Sequence, residues 1–302
     1  MTTSTPTRRS GAWALVLASI LWGTTGTAAS FFPENVSPLA IGAATMTIGG
    51  LLLFVVSLRP ALRAIRDAAS RRWLLLGALG VFVYPLAFYS SMVLAGVAIG
   101  NVVSLGTGPV FAAILEWLFE RHRPSGLWAG CTAAAIVGIV LLSVGGDATG
   151  APAVVPGVLL GLAAGLSYAL YTYCSSRGIR AGHAPRGVMG GMFGLGAVGL
   201  APVLIVFGAP LLQSWQTVGI AGYLALGPMF VAYLLFGVGM RTLRSSTATT
   251  ITLLEPFVAT ILAVLVVGER LDLVGWIGLA LILVAVTVLA TARRPAFGRS
   301  GT

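Results

Sequence analysis

The stretch TTITLLEPFVATILAVLVVGER, Thr249 to Arg270, is apolar or hydroxyl-bearing almost throughout, yet Glu255 and Pro256 stand near its middle. Its last sixteen residues, Glu255 to Arg270, align on GPVFAAILEWLFERHR, Gly108 to Arg123, at a shift of 147 residues. Pro109 then falls on Pro256, while Ala112, Ile114, Leu115, Leu118 and Arg123 fall on the identical residues Ala259, Ile261, Leu262, Leu265 and Arg270. At a nearly equal shift, GAWALVLASILWG from Gly11 lies on GVLLGLAAGLSYA from Gly157, which pairs Trp22 with Tyr168. The chain is written twice.

Composition says where both copies live. The 302 residues are 57% hydrophobic and 9% charged, with a mean hydropathy of +0.98. Soluble domains carry about 25% charged residues, so this chain belongs in a bilayer. The net charge of +10 comes from arginines in short clusters between apolar runs, with no lysine. No basic face is left to grip a nucleic acid. Cys131 and Cys174 share no metal-like spacing and read as small buried hydrophobes.

A helix needs about 20 apolar residues to cross the hydrocarbon core. Ten windows qualify: 12–32, 36–58, 73–94, 99–119, 125–144, 155–176, 186–208, 216–240, 245–267 and 271–291. The longest connection is then the stretch Arg59 to Arg72. The first window follows Arg8 and Arg9 but exceeds the 7–15 residues of a signal peptide's apolar region, so it is expected to be retained. With the N-terminus in the cytoplasm, 17 of the 18 arginines fall on the cytoplasmic side and only Arg270 outside. Both termini are therefore expected in the cytoplasm of a multi-pass plasma-membrane protein, with Ala64 inside and Asp147 outside.

The expected fold is all-α: ten transmembrane helices as two five-helix repeats, residues 1–145 and 155–302, joined by an external linker at 146–154. Five is odd, so the halves are inverted. Inverted halves are a recurring plan of secondary transporters, which rock about a site near the midplane.

Polar residues inside spans should face protein or a cavity. Asn101 and Ser104 share a face of the fourth span with Gly108, and Thr252 and Glu255 share one in the ninth. Trp22, Tyr89, Tyr168 and Tyr171 extend this set as candidate cavity residues, with Tyr84 beside Pro85. Interhelical packing is the alternative for each. Pro109 and Pro256, one in each half, are the candidate hinges. The glycines Gly157, Gly161 and Gly165 form consecutive G-x-x-x-G spacings suited to close helix packing.

Glu255 lies ten residues from Ser245, about 15 Å into a core about 30 Å thick. An ionised carboxylate there costs at least ~2.5 kcal/mol, so it must be protonated, paired or wetted. Two readings stay open: a strut hydrogen-bonded to a neighbouring helix such as the fourth, or a group that exchanges protons or holds a substrate amine.

The motifs SILWGTT (Ser19 to Thr25), LLEPFVATILAVLVVGERL (Leu253 to Leu271) and GWIGLALILVAV (Gly275 to Val286) resemble the EamA-type branch of the drug/metabolite transporter superfamily. The resemblance covers nearly the whole chain. One departure is His122-Arg123-Pro124, where the second half has Glu269-Arg270-Leu271. The resemblance implies a secondary active transporter that works by alternating access, and export as its direction.

No arginine lies deeper in a span than Arg186, the first residue of the seventh, and the proposed cavity is aromatic with one acid, which suits amino acids, amines or drug-like cations rather than sugar phosphates. The partners expected are the bilayer, a small-molecule substrate and protons as coupling ion, with no cofactor and no metal. An ATP-driven pump lacks its G-x-x-x-x-G-K-[ST] loop. A membrane-embedded enzyme would need clustered acids or histidines, whereas His122 and His183 fall in loops. A channel or a structural membrane protein is the remaining alternative.

Overall fold

The computed structural model describes residues 8–121, 126–145, 152–242, 251 and 254–291, and its regular elements are helices. In chain order these are α1 (Arg8–Gly23), α2 (Thr25–Ser30), α3 (Pro38–Val56), α4 (Leu58–Arg66), α5 (Ala68–Ala95), α6 (Val97–Gly106) and α7 (Gly108–Glu120). They continue with α8 (Gly126–Gly145), α9 (Val154–Arg180), α10 (Pro185–Phe207), α11 (Trp215–Leu224), α12 (Ala232–Thr242), α13 (Leu254–Leu262) and α14 (Leu273–Thr291). Helix is the form that lipid imposes, because it satisfies every backbone donor and acceptor internally. Among the described residues, seven helical segments are long and apolar enough to cross a membrane, and three shorter apolar helices accompany them.

The Arg59 to Arg72 connection is not a loop, as counting apolar windows implied. Residues 58–66 form α4, and α5 begins at Ala68, five residues ahead of the expected start at 73. Arg59, Arg63 and Arg66 recur at helical spacing on α4, while Ala61 and Ala64 are buried between them. Ala64 is therefore no surface position. Asp67 caps α5 by accepting from the Ala69 amide at 3.3 Å. It also bonds His183 Nε2 at 2.8 Å, tying the α4–α5 turn to the α9–α10 turn. The histidine hydrogen bond, with the Ala69 amide behind it, holds the Asp67 carboxyl below its ordinary value. Asp147, His122, Arg123 and Thr252 lie outside the described residues.

The most extensive interfaces pair α5 with α9, α3 with α10 and α8 with α14, each joining an element before residue 146 to one after it. Glycine sets the approach. A Cβ on Gly157 would come within 2.7 Å of the Ala95 nitrogen, and one on Gly138 within 2.8 Å of the Gly278 carbonyl. The Gly157, Gly161 and Gly165 face packs against α5 and α6 of the same chain. Cys131 and Cys174 are free and buried. Leu79, Val198 and Ile205 point outward, toward acyl chains in a membrane.

Among the described residues, several places depart from regular α-helix. The fourth window breaks at Thr107, so α6 and α7 meet just before Pro109, the second residue of α7. π-helical turns cover Ala225–Val231, around Pro228, and Ala263–Val267, after α13. Pro256 lies within α13, whereas residues 252–253 before it are outside the described set. Arg121 (φ 52°) and Gly268 (φ 82°), 147 residues apart, both end their helices in the left-handed region. The repeat seen in sequence extends to how these helices stop.

Candidate functional site

Helices from both halves converge on a continuous array of aromatic rings. Trp22 on α1 meets Tyr233 on α12 edge-on at 5.3 Å, and Tyr233 lies 4.9 Å from Phe193 on α10. Phe193 touches Tyr171 on α9 at 5.5 Å, Tyr171 touches Tyr168 at 5.2 Å, and Tyr168 reaches Tyr84 on α5 at 6.1 Å. The hydroxyls of Tyr171 and Tyr233 are 3.2 Å apart. Edge-on and tilted pairs of this kind leave ring faces available to a cation.

Glu255 joins this array from α13. Its carboxylate is within electrostatic reach of the Tyr84, Tyr168 and Tyr233 hydroxyls. It is part-exposed and takes no hydrogen bond or ion pair from a described residue. The strut reading required a bond to a neighbour such as the fourth span, and none of the described residues supplies one. Glycine 23 holds α13 against α1: a Cβ there would meet Val258 at 2.7 Å and the Glu255 carbonyl at 3.0 Å. One turn away, the Ser19 hydroxyl donates to the Ile251 carbonyl at 3.4 Å.

The other half mirrors these contacts. Gly108, the repeat counterpart of Glu255, sits against the Tyr168 ring, with an added Cβ 2.7 Å from it. A Cβ on Gly165 would lie 2.9 Å from the Ser104 carbonyl, where Ser19 meets Ile251 in the second copy. The acid is present in only one of the two equivalent places.

The sequence-derived set divides. Trp22, Tyr168, Tyr171 and Glu255 come together. Tyr89 adjoins the array only through Phe88, which stacks on Tyr84 at 5.3 Å and meets Tyr89 at 5.4 Å, and its hydroxyl is buried 3.4 Å from that of Thr45 on α3. Asn101 and Ser104 are fully buried in the packing of α6. Ser104 donates to the Gly100 carbonyl at 2.6 Å, whereas neither polar atom of the Asn101 side chain has a partner among the described residues. Tyr233 and Phe193 were missed. The repeat gave no signal for Tyr233, since a shift of 147 lays it on Leu86, although its contact with Trp22 and that of Tyr84 with Tyr168 join equivalent pairs of helices.

Two further carboxylates, away from the array, tie helices together. On the arginine-rich side, Glu120 accepts from Arg180 at 3.1 Å and from Arg177 at 3.4 Å, and the Arg177 guanidinium lies 4.8 Å from the Trp73 ring centroid. At the far side, Glu269 accepts from the Val97 and Ala98 amides, the latter at 2.8 Å. It caps α6 from another part of the chain, which explains the acid that His122 replaces in the first half. Just beyond Trp22, a cavity of about 470 Å³ is bounded by Thr24, Thr27, Trp215, Tyr223 and Leu262. Thr24 and Tyr223 share a hydrogen bond of 2.6 Å there.

The sequence profile of the EamA-like transporter family matches residues 9–144 and 155–291. Over 284 residues, 93% of each chain, the sequence is 31% identical to the uncharacterized transporter YwfM of Bacillus subtilis. It is 29% identical to an uncharacterized transporter of Archaeoglobus fulgidus over 283 residues, 93% of this chain and 96% of that one. The same identity, over 289 residues, relates it to the inner membrane transporter YedA of Escherichia coli, covering 93% and 90% of the two chains. A solved crystal structure shares the fold with a TM-score of 0.63 at 22% identity, covering 94% of this chain and 97% of the other. Two family matches in tandem, relatives aligned from end to end and an all-helical membrane fold agree: the chain is a multi-pass membrane protein of the EamA-like transporter family, within the drug/metabolite transporter superfamily, and not an enzyme.

Proposed function

We propose that the chain is a secondary active transporter that carries amines, amino acids or drug-like cations out of the cell by alternating access. The observation that carries this reading is the carboxylate of Glu255, without an ion-pair partner among the described residues, beside a wall of aromatic rings contributed by both halves. A cation with an apolar body gains from ring faces and from one carboxylate. A phosphate ester would need buried cations, and no arginine stands in the interior of an expected span, Arg186 being the first residue of the seventh. Protonation of Glu255 empties the site of its negative charge, so proton and amine compete for one group. That competition couples their movements. Export as the direction rests on the family alone.

The same reading takes the chain to cross the plasma membrane ten times, as inverted halves at 1–145 and 155–302 with both termini cytoplasmic. The arginine asymmetry, the matched contacts of Ser19 with Ile251 and of Gly165 with Ser104, and the matching left-handed stops at Arg121 and Gly268 support it. Uptake into proteoliposomes under an imposed pH gradient tests the substrate class: amines should move against their gradient, and transport of a sugar phosphate with amines ignored would overturn it. Single cysteines at the exposed positions Arg66 and Glu34, in a chain with Cys131 and Cys174 replaced, test the topology. They should label from opposite faces of intact cells, Glu34 from outside. Labelling of both from one face would remove the inverted arrangement while leaving the substrate assay to stand by itself.

A further inference from the structure

A second cavity, of about 440 Å³, opens on the arginine-rich side where α3 ends, α4 begins and α10 starts. Three guanidinium-bearing residues line it: Arg59 and Arg63 from one stripe of α4, and Arg186 from the second position of α10. None of the three forms an ion pair with a described carboxylate; the ion pairs formed on that side engage Glu120 with Arg177 and Arg180, and Asp67 with His183. Gathering three like charges is unfavourable, and a cation near a helix N-terminus such as Arg186 gains nothing from the helix dipole. The backbone nevertheless holds them together. A Cβ on Gly187 would press to 2.7 Å from the Pro60 carbonyl, so only glycine lets α10 seat against α4 this closely.

The remaining wall is apolar. Val55, Val56 and Leu58 line the same cavity and are exposed, Val55 by 64% and Val56 by 57%. They lead away from the arginines along the lipid-facing end of α3. The charge calls for an anion of the phosphate class, and the apolar strip beside it calls for that anion to carry hydrocarbon.

We propose that this cavity binds the headgroup phosphate of an anionic phospholipid, with acyl chains lying along Val55, Val56 and Leu58. The guanidiniums grip phosphate oxygens with short charge-assisted hydrogen bonds, and the bound lipid offsets their mutual repulsion. Because α4 bridges α3 and α5 while packing on α10, the lipid tightens the seam between first-half and second-half helices on that side. The site is separate from the aromatic array and does not depend on the substrate assigned to it.

The test uses the full-length protein in detergent, with native mass spectrometry reading retained lipid and thermal unfolding reading stabilisation. Phosphatidylglycerol, phosphatidylcholine and inorganic phosphate are compared at equal concentration. Phosphatidylglycerol should bind best, raise Tm, and lose about tenfold in affinity in the Arg59→Gln/Arg63→Gln double variant, the scale of a lost charge-assisted contact. Arg186→Gln, from another helix, should weaken it too, and Arg270→Gln on the opposite side should not. Arg63→Lys should keep part of the binding. Equal retention of phosphatidylcholine, inorganic phosphate binding as tightly as the lipid, or unchanged phosphatidylglycerol affinity in both the double variant and Arg186→Gln would each overturn the proposal.

Discussion

The Tyr171 hydroxyl on α9 and the Tyr233 hydroxyl on α12 lie 3.2 Å apart, each the other's polar partner among rings. Neither Tyr171→Phe nor Tyr233→Phe removes the pair cleanly, because each strands one hydroxyl in an aromatic wall. Each single variant is expected to lose about 1 kcal/mol, and the double variant less than their sum. Unfolding in a denaturing detergent series measures this, and strictly additive losses would mean that the two hydroxyls do not act together. Amine transport should survive in all three, with KM raised a few-fold.

Glu255→Gln keeps the shape of the side chain and removes its charge. The variant is expected to insert and fold like the parent, because no described residue forms an ion pair with the carboxylate. Concentrative transport should disappear, exchange of amines should weaken, and the pH dependence of transport should flatten. Proteoliposome uptake from about pH 5.5 to 8 reads all three. Wild-type rates across that range would reduce Glu255 to a packing residue.

Removing the Glu269 cap with Glu269→Ala should destabilise the chain by about 0.5–2 kcal/mol, the usual worth of an N-cap, since the Val97 and Ala98 amides lose their acceptor. Burial, outweighing those two donors, raises the Glu269 carboxyl above its ordinary value of 4.5. Between the unfolded and folded values the folded chain binds more protons, so stability is full below about 4.5 and falls as pH climbs through the raised value. Glu269→Gln retains an acceptor and should erase this slope. Melting temperatures across a pH series decide it; an unchanged slope would assign the dependence elsewhere.

Two glycine-to-alanine changes should move in opposite directions. Gly157→Ala drives a methyl against the Ala95 backbone and should cost about 1–3 kcal/mol. A Cβ at Gly222, within α11, would meet nothing within 4 Å, so Gly222→Ala should gain about 0.5–1 kcal/mol from helix propensity. Parallel unfolding curves compare them. Equal losses would show that helix approach at Gly157 is not what its glycine supplies.

Lipid makes the coarse architecture legible, since apolar length, arginine placement and the repeat are all direct requirements of crossing a bilayer. Side-chain grouping is a finer matter. Tyr84 and Tyr89 were read together, yet five residues at 3.6 per turn place them about 140° apart on α5, so Tyr84 meets Tyr168 directly while Tyr89 adjoins it only through Phe88. Ser104 looked like a cavity group, but a hydroxyl inside a helix can turn back to the carbonyl four residues earlier, and this one does. Phe193 gave no signal at all, because an aromatic ring in a span reads the same whether it meets lipid or another ring. The arginine stripe of α4 was visible at positions 59, 63 and 66, but hydropathy windows discard a helix that lies outside the apolar runs.

The interfaces of α5 with α9, α3 with α10 and α8 with α14 all join early helices to late ones. A ribosome finishes the early helices while their partners are still unmade. Until each partner emerges, the faces that α9, α10 and α14 will claim meet acyl chains, so assembly is a displacement of lipid by protein rather than a step-by-step folding of two ready-made halves. Among the described helices α14 comes latest, and it can close on α8 only after its own length has left the tunnel.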